Sequence, residues 1–457
     1  MIVWRTAHRR RRDGGAVAVL VALLLVPMIG FVGLVTDGGR GYLLQSRLSQ
    51  AVDAAALAGG RVMFDSNRDA DVRSFFRANF PKNLMNARVD GPHVAVDAQG
   101  ENLTLTASAT IDTTFMRIFN HKTMTVAARA VVKRSVRGME LALVLDNTGS
   151  MREDGKIEAL RAGATELINI FYGERERIPN FWVSLVPFVT AVNVGNGHTD
   201  WLAAGAIESK NYTGVPGGWK GCVEARHAHG NDMTDAPPSV EPFQPFYFPS
   251  GSDNSYPPVD ESYAAQSQAK GKGPNVSCPA PVSAMVDDKA TILAAIDDLR
   301  YWRRGGTMIN MGLVWGWRAL SPNWRGLWSA ATPQLPLDYG TPFMDKALVL
   351  LTDGKNEISS DDYTSYGRLS WGRLGTTNRN RATQEVNRRT AEACITMKQQ
   401  GIIIFTIGFR VEDAATHALL RDCASKAAYY FASPTNEDLR RAFRTIGATL
   451  SNLRLAQ

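Results

Sequence analysis

The chain has little of what marks a thiolate-metal protein, a nucleotide hydrolase or a nucleic-acid binder. It holds 4 cysteines in 457 residues, and no Cys-x-x-Cys spacing, so a zinc site is a weak reading. Its 7 histidines are scattered, which leaves no placed base for a Ser-His-Asp arrangement. No Gly-x-x-x-x-Gly-Lys-Ser/Thr occurs, which argues against a P-loop ATPase. There is no internal repeat and no long low-complexity tract. The formal net charge of +7 is unevenly placed. Arg5, Arg9, Arg10, Arg11 and Arg12 stand against Asp13, so residues 1–13 carry +4 and the rest only +3. A nucleic-acid groove needs clustered cations on a folded surface, and composition gives little support for one. Apolar residues are plentiful, at 44% against 21% charged. That suffices for a sizeable core, and at roughly 100–200 residues per domain the length suggests two to four units.

Residues 14–36, GGAVAVLVALLLVPMIGFVGLVT, contain no charged side chain. As a helix they span about 34 Å, against a hydrocarbon core of about 30 Å. The run exceeds the about 7–15 apolar residues of a cleaved signal peptide, and no clear Ala-x-Ala site follows it. Pro27 is tolerable inside a membrane helix. The reading is a retained transmembrane anchor. The positive-inside rule, applied to Arg9, Arg10, Arg11 and Arg12, makes residues 1–13 a cytoplasmic basic segment and exports the rest.

Beyond the anchor, 37–86 reads as a helical extension. Leu43, Leu44, Leu48, Val52, Ala55 and Ala56 recur at 3–4 spacing over residues 42–61. Gly59-Gly60 should weaken or bend that helix, and a second helix covers about 69–80. Over 87–137 the period changes to 2, predicting a small β-rich segment without readable chemistry. From Met139 short apolar runs (MELALVL, FWVSLVPF, ALVLLT, GIIIFTIGF, YYFA) alternate with helical stretches at 156–172, 287–300, 308–320, 380–399, 412–425 and 436–453. This predicts an α/β domain over 138–455, doubly wound around a mostly parallel sheet. Residues 196–290 break the pattern, holding eleven of the 21 prolines, and read as a loop-rich insertion. Residues 359–379 form a smaller polar one.

An exported chain can keep disulfides. Four cysteines allow three complete pairings. The simplest joins near neighbours, Cys222 with Cys278, stapling the insertion, and Cys394 with Cys423. Four buried free thiols are the alternative.

The strongest chemical signal is Asp146-Asn147-Thr148-Gly149-Ser150, directly after the strand ELALVL. In an open α/β sheet ligands bind where strands end. Asp146, Thr148 and Ser150 alternate along the turn and offer one carboxylate and two hydroxyls, donors that suit Mg²⁺. Thr307 follows Gly305-Gly306 before a helix, and Asp353 follows ALVLLT; both loops are predicted on the same sheet edge. Each residue alone could simply cap a helix or favour a turn.

Asp-x-Thr-Gly-Ser after a first strand, then Gly-Gly-Thr, then Thr-Asp-Gly resemble the von Willebrand factor type A domain. The resemblance implies a metal-ion-dependent adhesion site for Mg²⁺ or Mn²⁺. Asp146, Ser150 and Thr307 would be its ligands, with Thr148 and Asp353 acting through water. Thr148 stands where most members have Ser. The family's ion keeps a coordination position open for a partner's acidic side chain.

RRRRDGGAVAVLVALLLVPMIG followed by YLLQSRLSQAVDAAALAGG looks like the TadE/TadG-like anchor of Flp (tight adherence) pilus assembly proteins. Together the two resemblances imply a TadG-like protein of the bacterial inner membrane. It would be single-pass, with the N-terminus cytoplasmic and the main domain periplasmic, and would serve pilus assembly or adhesion through envelope partners rather than as an enzyme. Related pilin-like proteins carry Glu five residues after a Gly cleavage point. Here, counting from Gly15, Leu20 stands there, which favours a permanent anchor. Two rival readings remain: a structural scaffold whose metal only stabilises the fold, and a metal-dependent hydrolase, for which no base is evident. His227 and His229, Asp361-Asp362 and Arg303-Arg304 read as solvated loop residues. Trp315, Trp317, Trp324 and Trp328 are candidates for a binding surface, although the helical spacing of Trp315 and Trp317 favours core or interface for those two.

Overall fold

A computed structural model describes residues 14–61, 68–97, 102–133, 137–358 and 363–455. Arg9–Arg12 and the Asp361-Asp362 pair lie outside the described residues. The chain divides into two compact units, the second beginning at Arg137.

The first unit opens with α1 (Gly14–Arg61), followed by α2 (Arg68–Asn79) and the strands β1 (Arg88–Val96), β2 (Asn102–Asp112) and β3 (Thr123–Lys133). The strands form one antiparallel sheet in sequence order. Along β2, Leu103, Leu105, Ala107, Ala109 and Ile111 are buried while the residues between them are half-buried, as period-2 alternation requires of a sheet covered on one face. Leu44, Leu48, Val52 and Ala56 of α1 and Val72 and Phe76 of α2 complete that core. The sequence suggested separate helices; α1 instead runs as one element through Pro27, the Gly38–Gly41 stretch and Gly59-Gly60. Tertiary packing overrides weak propensity here. Val72 and Val132 lie where Cβ atoms on Gly59 and Gly60 would sit, so these glycines bring neighbours close instead of ending the helix. Among the described residues, α1 alone is long and apolar enough to cross a membrane. Its Val19–Val35 side chains are largely exposed, Leu23 by 68% and Phe31 by 72%.

The second unit contains β4 (Gly138–Asp146), α3 (Lys156–Tyr172), β5 (Phe181–Phe188), α4 (Tyr263–Gln266), β6 (Ser283–Val286), α5 (Lys289–Asp297), α6 (Ile309–Leu320), β7 (Met344–Thr352), β8 (Tyr363–Thr364), β9 (Gly367–Arg368), α7 (Arg379–Gln399), β10 (Ile403–Phe409), α8 (Ala414–Cys423), β11 (Tyr430–Ser433) and α9 (Asn436–Leu455). Its main sheet runs β11-β10-β7-β4-β5-β6. All pairings are parallel except β5 with β6. Every residue of β4 is buried, because both faces are covered. Leu141, Leu143 and Leu145 pack with α3, α5 and α9 residues, while Ala142 and Val144 pack with α6, α7 and α8 residues. This is the expected doubly wound α/β arrangement. The switch point lies beside β4, whose neighbours β5 and β7 continue the sheet in opposite directions.

The 196–290 region has few regular elements, but it is not wholly an insertion, since its end supplies the antiparallel edge strand β6. Both expected disulfides are present. Cys222–Cys278 has Cα atoms 5.7 Å apart and Cys394–Cys423 has them 5.1 Å apart. Trp315, Trp317, Trp324 and Trp328 are all buried in the core under α6. At the opposite end of the sheet from the candidate site, Lys346 donates to Glu140 in a buried ion pair. Burial, the largest influence on each, raises the Glu140 pKa and lowers that of Lys346.

The close seat of α6 on the sheet depends on Gly316, where a Cβ would lie 2.4 Å from Val144 Cγ2 and 2.7 Å from Leu348 Cδ1. Val144 is β-branched and enclosed, so it has little room to yield. Gly316→Val should therefore cost about 1–3 kcal/mol by overpacking. Urea unfolding measures this, and an unchanged midpoint would show that α6 can shift outward.

Candidate metal centre

β4 ends on Asp146, and Asp353 follows directly after the neighbouring strand β7. Asp146 is fully buried. Its Oδ1 accepts from the Thr148 amide at 2.8 Å and its Oδ2 from the Thr352 hydroxyl at 2.7 Å. Thr148 Oγ1 and Ser150 Oγ lie 3.1 Å apart. Ser150 donates to Asp353 Oδ1 at 2.7 Å. Four of the five sequence-predicted donors thus form one connected network. The fifth, Thr307, is buried and lines the same cleft of about 470 Å³ as Thr148 and Ser150.

Two glycines let these loops meet. A Cβ on Gly149 would lie 2.9 Å from the Arg303 backbone. Gly306 has φ 71°, and a Cβ there would lie 2.3 Å from Glu357 O. Thr307 and Glu357 then exchange backbone hydrogen bonds. The Asp146–Ser150 turn is pinned from the other side. Trp302 N donates to Asn147 O, and Asn147 Nδ2 donates to Arg300 O.

The electrostatics set Asp146 apart. Burial first, and the neighbouring Asp353 second, push its carboxyl up to about 7. No cation pairs with it among the ion pairs of the described residues. Asp353 does have a cation, because Lys156 at the start of α3 places Nζ 2.8 Å from its Oδ2, with both side chains buried. The donor set is two carboxylates and three hydroxyls, all hard oxygens, with the buried Asp146 carrying an uncompensated charge whenever it ionises. These residues fit a hard divalent cation that keeps some of its waters. They do not form a dense acidic cage, since no group of three or more His, Cys, Asp or Glu converges anywhere among the described residues.

Three participants carried too faint a signal in the sequence. Lys156 reads there only as the first residue of a helix. Thr352 reads as the end of a strand. Asn356 is buried and accepts from the Ile309 amide at 2.8 Å, capping α6 from the β7 loop; a lone Asn in a loop gives no hint of that. Arg304 departs from the solvated-pair expectation, since it is half-buried and donates to Gly271 O at 3.0 Å and to Asp253 O, while Arg303 is exposed. His229 bonds Glu241 at the surface and His227 bonds Ala225 O, with no third ligand nearby. The cleft rim carries Arg152, Arg303, Arg304 and Arg379 against Glu153 and Glu357, a cationic surplus. No histidine lines the cleft.

Residues 15–62 match the family of putative Flp pilus-assembly, TadE/G-like proteins. No curated protein matches the chain. Among solved structures, the chain is similar to the von Willebrand factor domain of the type V pili tip protein Mfa5 from Porphyromonas gingivalis, at 12% identity over 70% of this chain and 97% of that one, with TM-score 0.36. It is similar to the pilus adhesin SpaC from Lactobacillus rhamnosus GG, at 12% identity over 80% of this chain and 34% of that one, with TM-score 0.36. It is also similar to proximal thread matrix protein 1 of the mussel byssus, whose structure has a zinc-occupied adhesion motif, at 13% identity over 70% and 47%, with TM-score 0.33. The long apolar α1 and the pilus-assembly family match fit a single-pass membrane protein of a pilus system.

Proposed function

We propose that this chain is a TadG-like component of a Flp pilus system whose second unit binds an envelope or pilus partner through a divalent cation. The observation that carries this reading is the hydrogen-bonded network of Asp146, Thr148, Ser150 and Asp353 beside the cleft that Thr148, Ser150 and Thr307 line. Asp146 is buried there without a cation of its own. Asp146, Ser150 and Thr307 would hold Mg²⁺ or Mn²⁺, with Thr148 and Asp353 acting through water. The ion would supply an open coordination position for a carboxylate of the partner. The arginine-rich rim supports an acidic partner, because it draws anions toward the cleft. In this reading the anchor is in the inner membrane with its N-terminus cytoplasmic, and the second unit is periplasmic. The chemistry is recognition and not turnover.

Lys156 favours one competing reading. Its ammonium already neutralises Asp353, which is what a scaffold able to stand without metal would need. Thermal unfolding of residues 137–456, with Mg²⁺, with Mn²⁺ and with chelator, separates the two. Under the proposal, either ion at 100 times Kd adds about 2.7 kcal/mol of stability, and Asp146→Ala abolishes the gain. Absence of any ion-dependent shift in the wild-type unit would favour the scaffold. Under the proposal Asp146→Ala also stops pilus assembly; under the scaffold reading assembly survives it.

A further inference from the structure

We infer that the turn between β2 and β3 is a second membrane contact, with Phe115, Ile118 and Phe119 seated among lipid acyl chains beside α1. This rests on the reading that residues 14–36 span the bilayer. The turn contains a short helical segment, Met116–Phe119. Its apolar side chains do not fold inward, since Ile118 is 68% exposed and Phe119 45%. Such exposure at the tip of a hairpin calls for an apolar neighbour.

The neighbour follows from where the turn meets α1. A Cβ on Gly30 would lie 3.2 Å from the Phe119 ring, and one on Gly33 would lie 2.6 Å from Phe115 Cβ. Both glycines belong to the charge-free run. At about 1.5 Å per residue, Gly30 lies some 9 Å before its last residue, Thr36. A side chain stacked on Gly30 therefore shares its depth, within the about 5–10 Å that interfacial elements reach into the acyl boundary.

The turn is also locked to the helix at that depth. Asp37, the first charged residue after the run, is buried, and its carboxylate accepts from the amides of Thr114, Phe115 and Met116 at 2.8–3.1 Å. Arg40 adds bonds to Thr114 Oγ1 and to Asp112 O. These five contacts satisfy the turn's first amides and its strand end, and they tie the turn to α1. Arg117 is exposed within the tip segment and His121 and Lys122 follow it, and basic residues there suit the headgroup layer of an anionic bilayer. The occupant of this face is thus lipid, continuous with the lipid around α1.

Spin labelling of the full chain in vesicles of phosphatidylethanolamine and phosphatidylglycerol tests this. Single cysteines replace Leu25 in the span, Ile118 at the tip, and Lys122 beyond it; all three side chains are exposed, so the labels are accommodated. Collisions with oxygen report lipid, and collisions with a water-soluble nickel chelate report solvent. Labels at Leu25→Cys and Ile118→Cys should both prefer oxygen, and the label at Lys122→Cys should prefer nickel. A solvent signal at 118 with a lipid signal at 25 overturns this inference and leaves the anchor intact. Solvent signals at both positions overturn the anchor reading and this inference with it. As a second measure, Ile118→Asp should shift the 25 label toward solvent or lower the yield of vesicle-bound chain. No change in either would argue that the tip takes no part in membrane seating.

Discussion

Full reduction of the second unit should lower its urea midpoint sharply, by far more than any single surface substitution. The closed loops span sequence separations of 56 residues for Cys222–Cys278 and 29 for Cys394–Cys423. In the chain-entropy account each is worth about 4 kcal/mol. The two losses should differ in kind. Cys394 and Cys423 sit on α7 and α8, which share a buried layer over the sheet, so the native packing persists there after reduction. Cys222 and Cys278 bridge a region with few strands and helices. Its satellite core is Ala191, Phe246, Phe248, Val276, Tyr363 and the two cysteines themselves. Without the bridge, little periodic hydrogen bonding holds that region, and amide exchange across residues 196–282 should accelerate selectively. Thiol labelling of the unfolded, unreduced chain should find no free cysteine. Four free cysteines would sink the pairing, and equal exchange before and after reduction would sink the claim that the bridge organises the insertion.

What was legible in the sequence depended on periodicity and loop chemistry. The buried parallel strands announced themselves as short apolar runs, because covering both faces leaves no polar positions. The loops carrying Asp146, Thr148, Ser150, Thr307 and Asp353 were legible as a candidate site because the switch-point loops of an open sheet follow directly after such runs, and because carboxylates and hydroxyls crowd into them. Four features were not. The edge strand β6 is four residues long and carries only Ala284 and Met285 buried, too short to show a period. The continuity of α1 was hidden by Gly38, Gly39 and Gly41, whose weak helix propensity is outweighed by Asp37 and Arg40 tying the helix to the hairpin turn. The membrane-facing tip could not be read, since FMRIF is an ordinary apolar stretch until the fold sets it beside Gly30. The network partners Lys156 and Thr352 were equally silent, because a basic residue opening a helix and a Thr closing a strand have no period and no motif of their own.

Lys156→Met should give the largest single-residue effect at the candidate site, and its sign should depend on metal. The Lys156–Asp353 pair is enclosed, with its side chains exposed by 9% and 0%. Met preserves the length and apolar stem of Lys, so packing changes little. Losing the ammonium leaves two carboxylates, Asp146 and Asp353, close together with no cation. Breaking one partner of a buried pair costs about 3–5 kcal/mol, and this loss should appear in full in chelator. Mg²⁺ should restore much of it, making the ion-dependent shift larger in Lys156→Met than in the wild type. Asp353→Asn on that background should recover stability without metal, a coupling that a double-mutant cycle reads directly. The pH dependence follows from Asp146. Its carboxyl, raised to about 7 by burial and then by Asp353, holds a proton that the unfolded chain has already released above about pH 4. Metal-free stability therefore falls as pH rises between those values. An ion must displace that proton below pH 7, so the Mg²⁺ shift should be larger at pH 8 than at pH 6. Equal Mg²⁺ shifts in the wild type and in Lys156→Met would place any bound ion away from this cleft. A variant as stable as wild type in chelator would show that Asp353 does not depend on Lys156.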